Sequence, residues 1–335
     1  MNYKLSQKIL GKIKDSENIL VNCHTSPDPD SLGSALAMYI ALKKLGKEVE
    51  IVCPDNIPDD SKFLPFSEKI KKIKFAKFDF SKYDLFLVLD SAGENMITGV
   101  SDGKLPNIYT VVIDHHKTNK NIGDINLVDA KVSSCAELIY KLFQDWNIKF
   151  DKQLATSLLT GILGDTGIFE YPGVGVETLG VAGKLMELGA DKDEIVLNIF
   201  RTEEFKNVKF WGEILKRMEI DAEGKFVWSA IPYEVYNEYE RPAGAKDAAA
   251  GMFLSLVKGT NFGMIMLEEE KKMLGVSFRS RTGFDVSEIA AELGGGGHRA
   301  ASGAKIYSLE FDSAVLKVLG AARKYAKKAN KANQK

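Results

Sequence analysis

The run Val111-Val112-Ile113-Asp114-His115-His116 constrains this chain more than any other stretch. Apolar residues leading straight into a carboxylate and two imidazoles read as a buried strand that delivers polar groups to its carboxyl end, where open α/β sheets gather their chemistry. The chain has four histidines. His24 follows the apolar run Ile19 to Cys23 and His298 follows four glycines, so each histidine stands at a loop. Adjacent histidines on a strand end point to opposite sides, which predicts that one binds metal and the other faces substrate. Two polar residues capping a strand would leave the same trace, and the remaining stretches decide between them.

Residues Tyr3 to Lys14 carry apolar positions at helical spacing, and Asn18 to Cys23 reads as a short buried strand. It opens into His24-Thr25-Ser26-Pro27-Asp28-Pro29-Asp30-Ser31, followed by the alanine-rich helical stretch Leu32 to Leu45. One carboxylate at a helix start is usually a cap, but a histidine and two aspartates within seven residues, between strand and helix, favour a metal site. Glu48 to Cys53 and Leu85 to Leu89 read as further strands, the latter closing on Asp90, which either caps a turn or stands at the same carboxyl edge as His24. Ser134-Cys135-Ala136-Glu137 matches a capping box that opens a helix through Trp146, a structural feature. A second helix is expected from Lys152 to about Leu163, leaving Asp165 at its end, either as a turn residue or as another site carboxylate.

Residues 191–218 look helical and serve as the expected linker between an N-terminal domain, 1–190, and a C-terminal domain, 219–330. In the latter, Phe226 to Ile231, Phe262 to Leu267 and Met273 to Phe278 read as strands, the last two as a hairpin, and Val286 to Leu293 as a helix. The run Gly294 to Gly297 is either a flexible loop or a backbone that lets a phosphate approach closely. Arg279, Arg281, His298 and Arg299 around it favour the second reading. The fold class is therefore α/β, an N-terminal parallel-sheet domain followed by a smaller α/β domain.

With 335 residues, 45% hydrophobic and 27% charged, the chain is long enough for two cores. No apolar run reaches the length of a membrane span, and no basic-then-apolar signal pattern opens the chain, so a cytoplasmic location with no membrane partner is expected. Cys23, Cys53 and Cys135 lack the paired spacings of zinc or redox motifs and read as reduced core residues. A net charge of −1 disfavours long duplex nucleic acid as a partner. The basic tail Arg323 to Lys335 reads as a solvated, fraying helix end.

Together these stretches resemble the DHH phosphoesterase family, named for the motif that stands here as Asp114-His115-His116. His24 to Ser34 is similar to the family's first motif, Asp90 to its second and Asp165 to its fourth, while Gly294 to Gly303 resembles the motif of the DHH-associated C-terminal domain. The resemblance implies a two-metal centre, with His24 and Asp28 on one ion, Asp30, His115 and Asp165 on the other, and Asp90 bridging them. Asp114 would orient a neighbouring histidine, and His116 would face substrate. Two divalent ions would balance the four carboxylates Asp28, Asp30, Asp90 and Asp165. The mixed donor set suits Mn²⁺, with Mg²⁺ or Co²⁺ as alternatives. Arg279, Arg281, Gly295, Gly296, Gly297, His298 and Arg299 would hold the nucleotide.

The implied activity is hydrolysis of very short oligoribonucleotides, dinucleotides or 3′-phosphoadenosine 5′-phosphate, with cyclic dinucleotides as the alternative substrate and a homodimer left open. Three rivals fit less well. A family pyrophosphatase would carry a different C-terminal domain, a non-catalytic nucleotide sensor would lack a ligand, and a RecJ-type exonuclease would need a basic groove.

Overall fold

In the computed structural model, which describes residues 2–171 and 173–332, the apolar runs of the first 130 residues become the strands of one parallel sheet. Helix α1 (Ser6–Asp15) leads to strand β1 (Asn18–Asn22), helix α2 (Pro29–Lys44) and strands β2 (Glu48–Cys53), β3 (Ile70–Lys72) and β4 (Leu85–Leu89). The one-turn helix α3 (Glu94–Thr98), strands β5 (Thr110–Asp114) and β6 (Ile125–Val128), and helices α4 (Cys135–Asp145), α5 (Lys152–Thr166), α6 (Val176–Glu187) and α7 (Lys192–Phe200) complete this unit, Met1–Thr202. The strand order is β3-β2-β1-β4-β5-β6, every pair parallel. Chain order therefore runs outward in both directions from the β1–β4 pair. Such a reversal leaves a crevice beyond the strands' carboxyl ends, because the two following segments diverge to either side.

Alternation along the strands fills both faces. Val21, Leu85, Leu87, Leu89, Val111 and Ile113 pack with the helices, while Leu20, Phe86, Val88 and Val112 pack against Phe75 and Tyr83 on the other face. Helices α2 and α5 approach so closely that only glycine fits between them. A Cβ on Gly33 would lie 2.3 Å from Ser157 O, and one on Gly161 would lie 2.6 Å from both Ala136 Cβ and Asp30 Oδ1. This contact fixes the start of α2 against the end of α5.

The second unit, Glu203–Lys335, builds a mixed sheet. It contains helix α8 (Phe205–Lys216), strands β7 (Glu219–Asp221) and β8 (Phe226–Ile231), helices α9 (Tyr233–Glu238) and α10 (Ala245–Phe253), and strands β9 (Phe262–Glu270) and β10 (Met273–Ser280). Helix α11 (Ser287–Glu292), strands β11 (Gly296–Gly297) and β12 (Ala301–Tyr307), and helix α12 (Phe311–Ala332) follow. The order is β11-β12-β10-β9-β8-β7, with β8 and β9 parallel and the other pairs antiparallel. Phe226, Phe262, Met264 and Phe278 join the α11–α12 side, and Val227, Ile231 and Ile265 join Phe210, Trp211 and Ile214 of α8.

The structure bears on four sequence expectations. The stretch 191–218, expected as a helical linker, holds two helices: Ile195 of α7 enters the first core, and Phe210 and Trp211 of α8 enter a core of the second unit. The glycine run, expected as a backbone open to close approach rather than as a flexible loop, includes an edge strand in which Gly296 and Gly297 pair with Gly303 and Ser302. Helix α5 continues through Thr166, with Gly167 closing it in the left-handed conformation at φ 54°. Over its described part the basic tail is helical: α12 reaches Ala332, and Arg323, Lys324 and Lys328 pair with Asp221, Glu292 and Glu288 at its exposed face. Residues 333–335 of that tail lie outside the described residues. Among the described residues no helix is long and apolar enough to cross a membrane.

Gly33→Ala should cost about 1–3 kcal/mol of stability, because an extra methyl must push two packed backbones apart. Gly180→Ala, in α6 with open space at its Cβ, should instead gain about 0.5–1 kcal/mol. Urea denaturation midpoints decide: equal shifts for the two variants would refute the close α2–α5 contact as the cause.

Candidate functional site

Three strand ends and two helix ends converge in the crevice of the first sheet. His24 lies two residues beyond β1, its backbone N–H donating to Ser31 Oγ at 3.0 Å. Its Nδ1 is 2.7 Å from the carbonyl oxygen of Thr25, which only accepts, so Nδ1 carries the proton. In the neutral ring Nε2 is then a bare lone pair, as a metal ligand requires. That atom lies 3.5 Å from Asp28 Oδ2 and 3.6 Å from Asp90 Oδ2, beyond hydrogen-bond length. Asp28 has two tasks, since its Oδ1 caps α2 through Ser31 N at 2.9 Å while Oδ2 faces His24.

Asp30, in the first turn of α2, is fully buried and anchored by a helix 105 residues away in sequence. Cys135 N donates to its Oδ2 at 2.6 Å and Ala136 N to its Oδ1 at 2.9 Å, so the amino end of α4 holds the carboxylate in place. The Ser134 box does cap α4, through Glu137 N at 3.0 Å, but the same helix start also orients a site residue. Each carboxylate oxygen accepts about two bonds, so Oδ2 keeps a free direction toward His115 Nε2, 4.0 Å away. Asp165, in the last turn of α5, brings Oδ2 to 3.0 Å from the same nitrogen without the alignment of a hydrogen bond.

Asp90 joins the two halves. Its backbone sits at φ 51°, a region that non-glycine residues rarely adopt and that marks functional positions. Its carboxylate reaches toward His24 through Oδ2 and toward His115 through Oδ1, the latter at 3.5 Å. The resulting groups, His24-Asp28-Asp90 and Asp30-His115-Asp165, each keep their ligand atoms within 4.8 Å of one another. Among the described residues, Asp90 Oδ1 and His115 Nε2 are buried with no hydrogen-bond partner. Orphaned polar atoms of this kind are rare, and a cation between them satisfies both, so the residues fit divalent ions.

The histidine pair does not split to opposite sides. The ring centroids of His115 and His116 are 4.6 Å apart, because β5 ends at Asp114 and strand alternation stops there. Asp114 Oδ1 accepts from His115 N and binds His116 Nδ1, both at 2.8 Å, which directs His116 Nε2 away from Asp114. Asn119 donates to Asp114 Oδ2 at 2.6 Å and to Ser91 O at 3.2 Å, tying the ends of β4 and β5 together. Asn119 did not stand out in the sequence, since a single amide in a polar loop carries no periodic signal.

The charges respond to this crowding. Burial works against a charged His24 ring, but Asp28 and Asp90 outweigh it and raise its pKa to about 11. For His115 burial likewise opposes the charge, and Asp165, Asp30 and Asp90 raise the pKa to about 10. Burial pushes Asp30 and Asp90 up, while Asp28 is held below the usual carboxylate range by His24 against its own burial. The bond to Asp114 raises His116.

The second unit separates the residues expected to hold nucleotide. Arg279, Gly295, Gly296 and Gly297 line one groove of 610 Å³ with Lys246, Ser277 and Tyr307. A Cβ on Gly295 would lie 2.1 Å from Gly303 O, whereas Gly296 faces open space. Arg299 instead lines a hollow of 360 Å³ beside Phe284 and Tyr325, with its Nε donating to Gly283 O. Arg281 is spent on the carbonyls of Ser255 and Thr260, and His298 is exposed at the tight turn from β11 to β12.

Comparison with known proteins gives two family matches, the DHH family N-terminal domain over residues 18–162 and the DHHA1 domain over residues 230–328. The chain is 31% identical over 309 residues to the bifunctional oligoribonuclease and PAP phosphatase NrnA of Thermus thermophilus, covering 91% of this chain and 89% of that one. A probable protein of the same description from Streptococcus mutans is 29% identical, covering 90% and 93%. The crystal structure of an exopolyphosphatase-related protein from Bacteroides fragilis superposes with a TM-score of 0.84 at 25% identity, covering 96% of both chains.

A pKa raised on folding means that the folded state holds the proton more tightly, so stability is complete below the unfolded value and is lost as pH rises through the folded one. Metal-free protein should therefore become less stable from pH 6.5 toward about 10 as His24 and His115 deprotonate. Saturating Mn²⁺ should raise the melting temperature and flatten that slope, because the ions take the protons' place. Melting curves across pH, with EDTA or with Mn²⁺, check this. A metal-free melting temperature that climbs over the same range would contradict it.

Proposed function

The chain belongs to the DHH family, and on that premise we propose that it is a two-metal phosphohydrolase of very short oligoribonucleotides and 3′-phosphoadenosine 5′-phosphate. The observation that carries this reading is the two ligand groups His24-Asp28-Asp90 and Asp30-His115-Asp165, which meet where the orphaned Asp90 Oδ1 lies 3.5 Å from the orphaned His115 Nε2. The substrate class rests on the relatives described as oligoribonuclease and PAP phosphatase. The mixed imidazole and carboxylate set favours Mn²⁺ over Mg²⁺, which prefers all-oxygen sites. When bound, two such ions supply the Lewis acidity that activates water and neutralises phosphoryl charge.

The protein's own groups divide the remaining work. His24 and Asp28 hold one side of the centre, Asp30, His115 and Asp165 hold the other, and Asp90 serves both. Asp114 fixes the His116 ring by accepting from Nδ1 and favours its protonated form. His116 Nε2 is then the atom that donates a proton to the leaving oxygen. In the second unit, Arg279 and the backbone of Gly295 to Gly297 bind the nucleotide's phosphate or base. Arg281 acts in substrate binding only if it leaves the carbonyls of Ser255 and Thr260, whereas His298 is already exposed and Arg299 lines its own hollow.

Product analysis with Mn²⁺ tests the proposal. Dinucleotides, 2-mers to 5-mers and 3′-phosphoadenosine 5′-phosphate should be hydrolysed much faster than a 24-mer, since a chain of net charge −1 offers few sites for extra phosphates. Processive, salt-sensitive decay of the 24-mer at equal rate would replace this reading with the RecJ-type one, and preference for a cyclic dinucleotide would replace the substrate. Asp165→Asn should lose more than the ~10–100-fold typical of removing a ligand's outer partner. Arg279→Ala should lose about tenfold to a hundredfold on nucleotides, the worth of one charged hydrogen bond, while sparing a small artificial phosphodiester.

A further inference from the structure

Beyond every motif considered so far lies Asp55, two residues after β2 ends at Cys53. Its Oδ2 accepts from Thr25 Oγ1 at 2.5 Å and from Ser26 N at 2.8 Å. The Ser26 N–H and the Thr25 C=O belong to one peptide plane and point in opposite directions. The far end of that plane, Thr25 O, is the atom 2.7 Å from His24 Nδ1. Asp55 and His24 thus grip opposite ends of a single rigid unit.

We propose that Asp55 is a positioning residue that sets the tautomer and ring direction of His24 through this peptide. The inference rests on the reading of His24 as a metal ligand. Two observations make the clasp more than a surface turn. Ser26 lies at φ 49°, a left-handed conformation that a serine holds only when surrounding contacts impose it. The preceding peptide is independently pinned, with Thr25 N donating to Met96 O at 2.7 Å, so the Thr25–Ser26 plane is left with Asp55 as its partner on the N–H side. If that partner goes, the plane is free to rotate, Thr25 O leaves Nδ1, and Nε2 no longer faces Asp28 and Asp90. A carboxylate on the N–H end also polarises the peptide, which strengthens Thr25 O as an acceptor for the imidazole. The carboxylate, the peptide and the imidazole form a relay in which Asp55 contacts neither ion nor substrate.

The test is a calorimetric Mn²⁺ titration of the metal-free full-length protein. Asp55→Ala should weaken one of two binding steps by about 10–100-fold, as removal of a ligand's outer partner does, and leave the other step unchanged. Asp55→Asn keeps an oxygen that can accept both bonds and should restore affinity to near wild type. Thr25→Val removes one of the two donors to Oδ2 and should weaken the same step by about two- to tenfold, the worth of one hydrogen bond. That variant decides the matter if Asp55→Ala does not fold, and wild-type affinity in it would then overturn the inference. A wild type that binds two ions, beside an Asp55→Ala variant that binds them identically, overturns this inference alone. A wild type that takes up no divalent ion overturns the metal reading, and this one with it.

Discussion

Buried negative charge is the constraint on which the rest of this structure depends. Asp30 and Asp90 are 0% and 1% exposed, and Asp28 and Asp165 face the same two histidines. Carboxylates withdrawn from water repel one another and lose hydration, so a fold keeps them there only with compensating partners. The chain supplies those partners unevenly. Asp28 spends one oxygen on the start of α2, and Asp30 receives the first amides of α4, whose helix dipole favours an anion. Asp90 receives much less, and its Oδ1 stays orphaned beside His115 Nε2. The imbalance is localised where a divalent ion would sit.

Holding those charges in register requires two kinds of precision. The parallel sheet provides one, because the reversal between β1 and β4 opens a crevice at the strand ends that carry His24, Asp90 and Asp114 to His116. The glycine contact between α2 and α5 provides the other. Without Gly33 and Gly161 the two helices could not approach closely enough to set Asp30 and Asp165 on either side of His115. Packing and chemistry are the same contact here, since the Cβ that would disrupt the helix pair at Gly161 would also strike Asp30 Oδ1.

The second unit solves a different problem with related means. Its glycine run lets one edge strand lie against β12 while leaving Gly296 open to the groove, and Arg279 arrives from the neighbouring strand β10. The first unit thus carries the candidate metal ligands at its sheet edge, and the second carries a glycine-lined groove beside Arg279.

The sequence by itself determined the local elements and the residue types of the site. Strands β1, β4 and β5 were legible because each is a largely apolar run leading to a histidine or aspartate, and the start of α4 was legible because its cap lies within four residues. The hairpin of β9 and β10 was legible from two apolar runs of strand length around a short charged turn. Tertiary structure alone decided what these elements do to one another. The bonds from α4 to Asp30 cross more than a hundred residues, the clasp of Asp55 on the turn after His24 crosses about thirty, and neither leaves a local pattern. Strand alternation predicted that His115 and His116 would diverge, but the strand stops at Asp114 and both rings turn toward Asp90. Arg279, Arg281 and Arg299 look equivalent in sequence, yet one faces the groove, one is spent on backbone carbonyls and one lines a separate hollow. The physical reason is common to all of these: periodicity and capping act over a few residues, whereas the direction of a side chain is set by whichever distant backbone satisfies it.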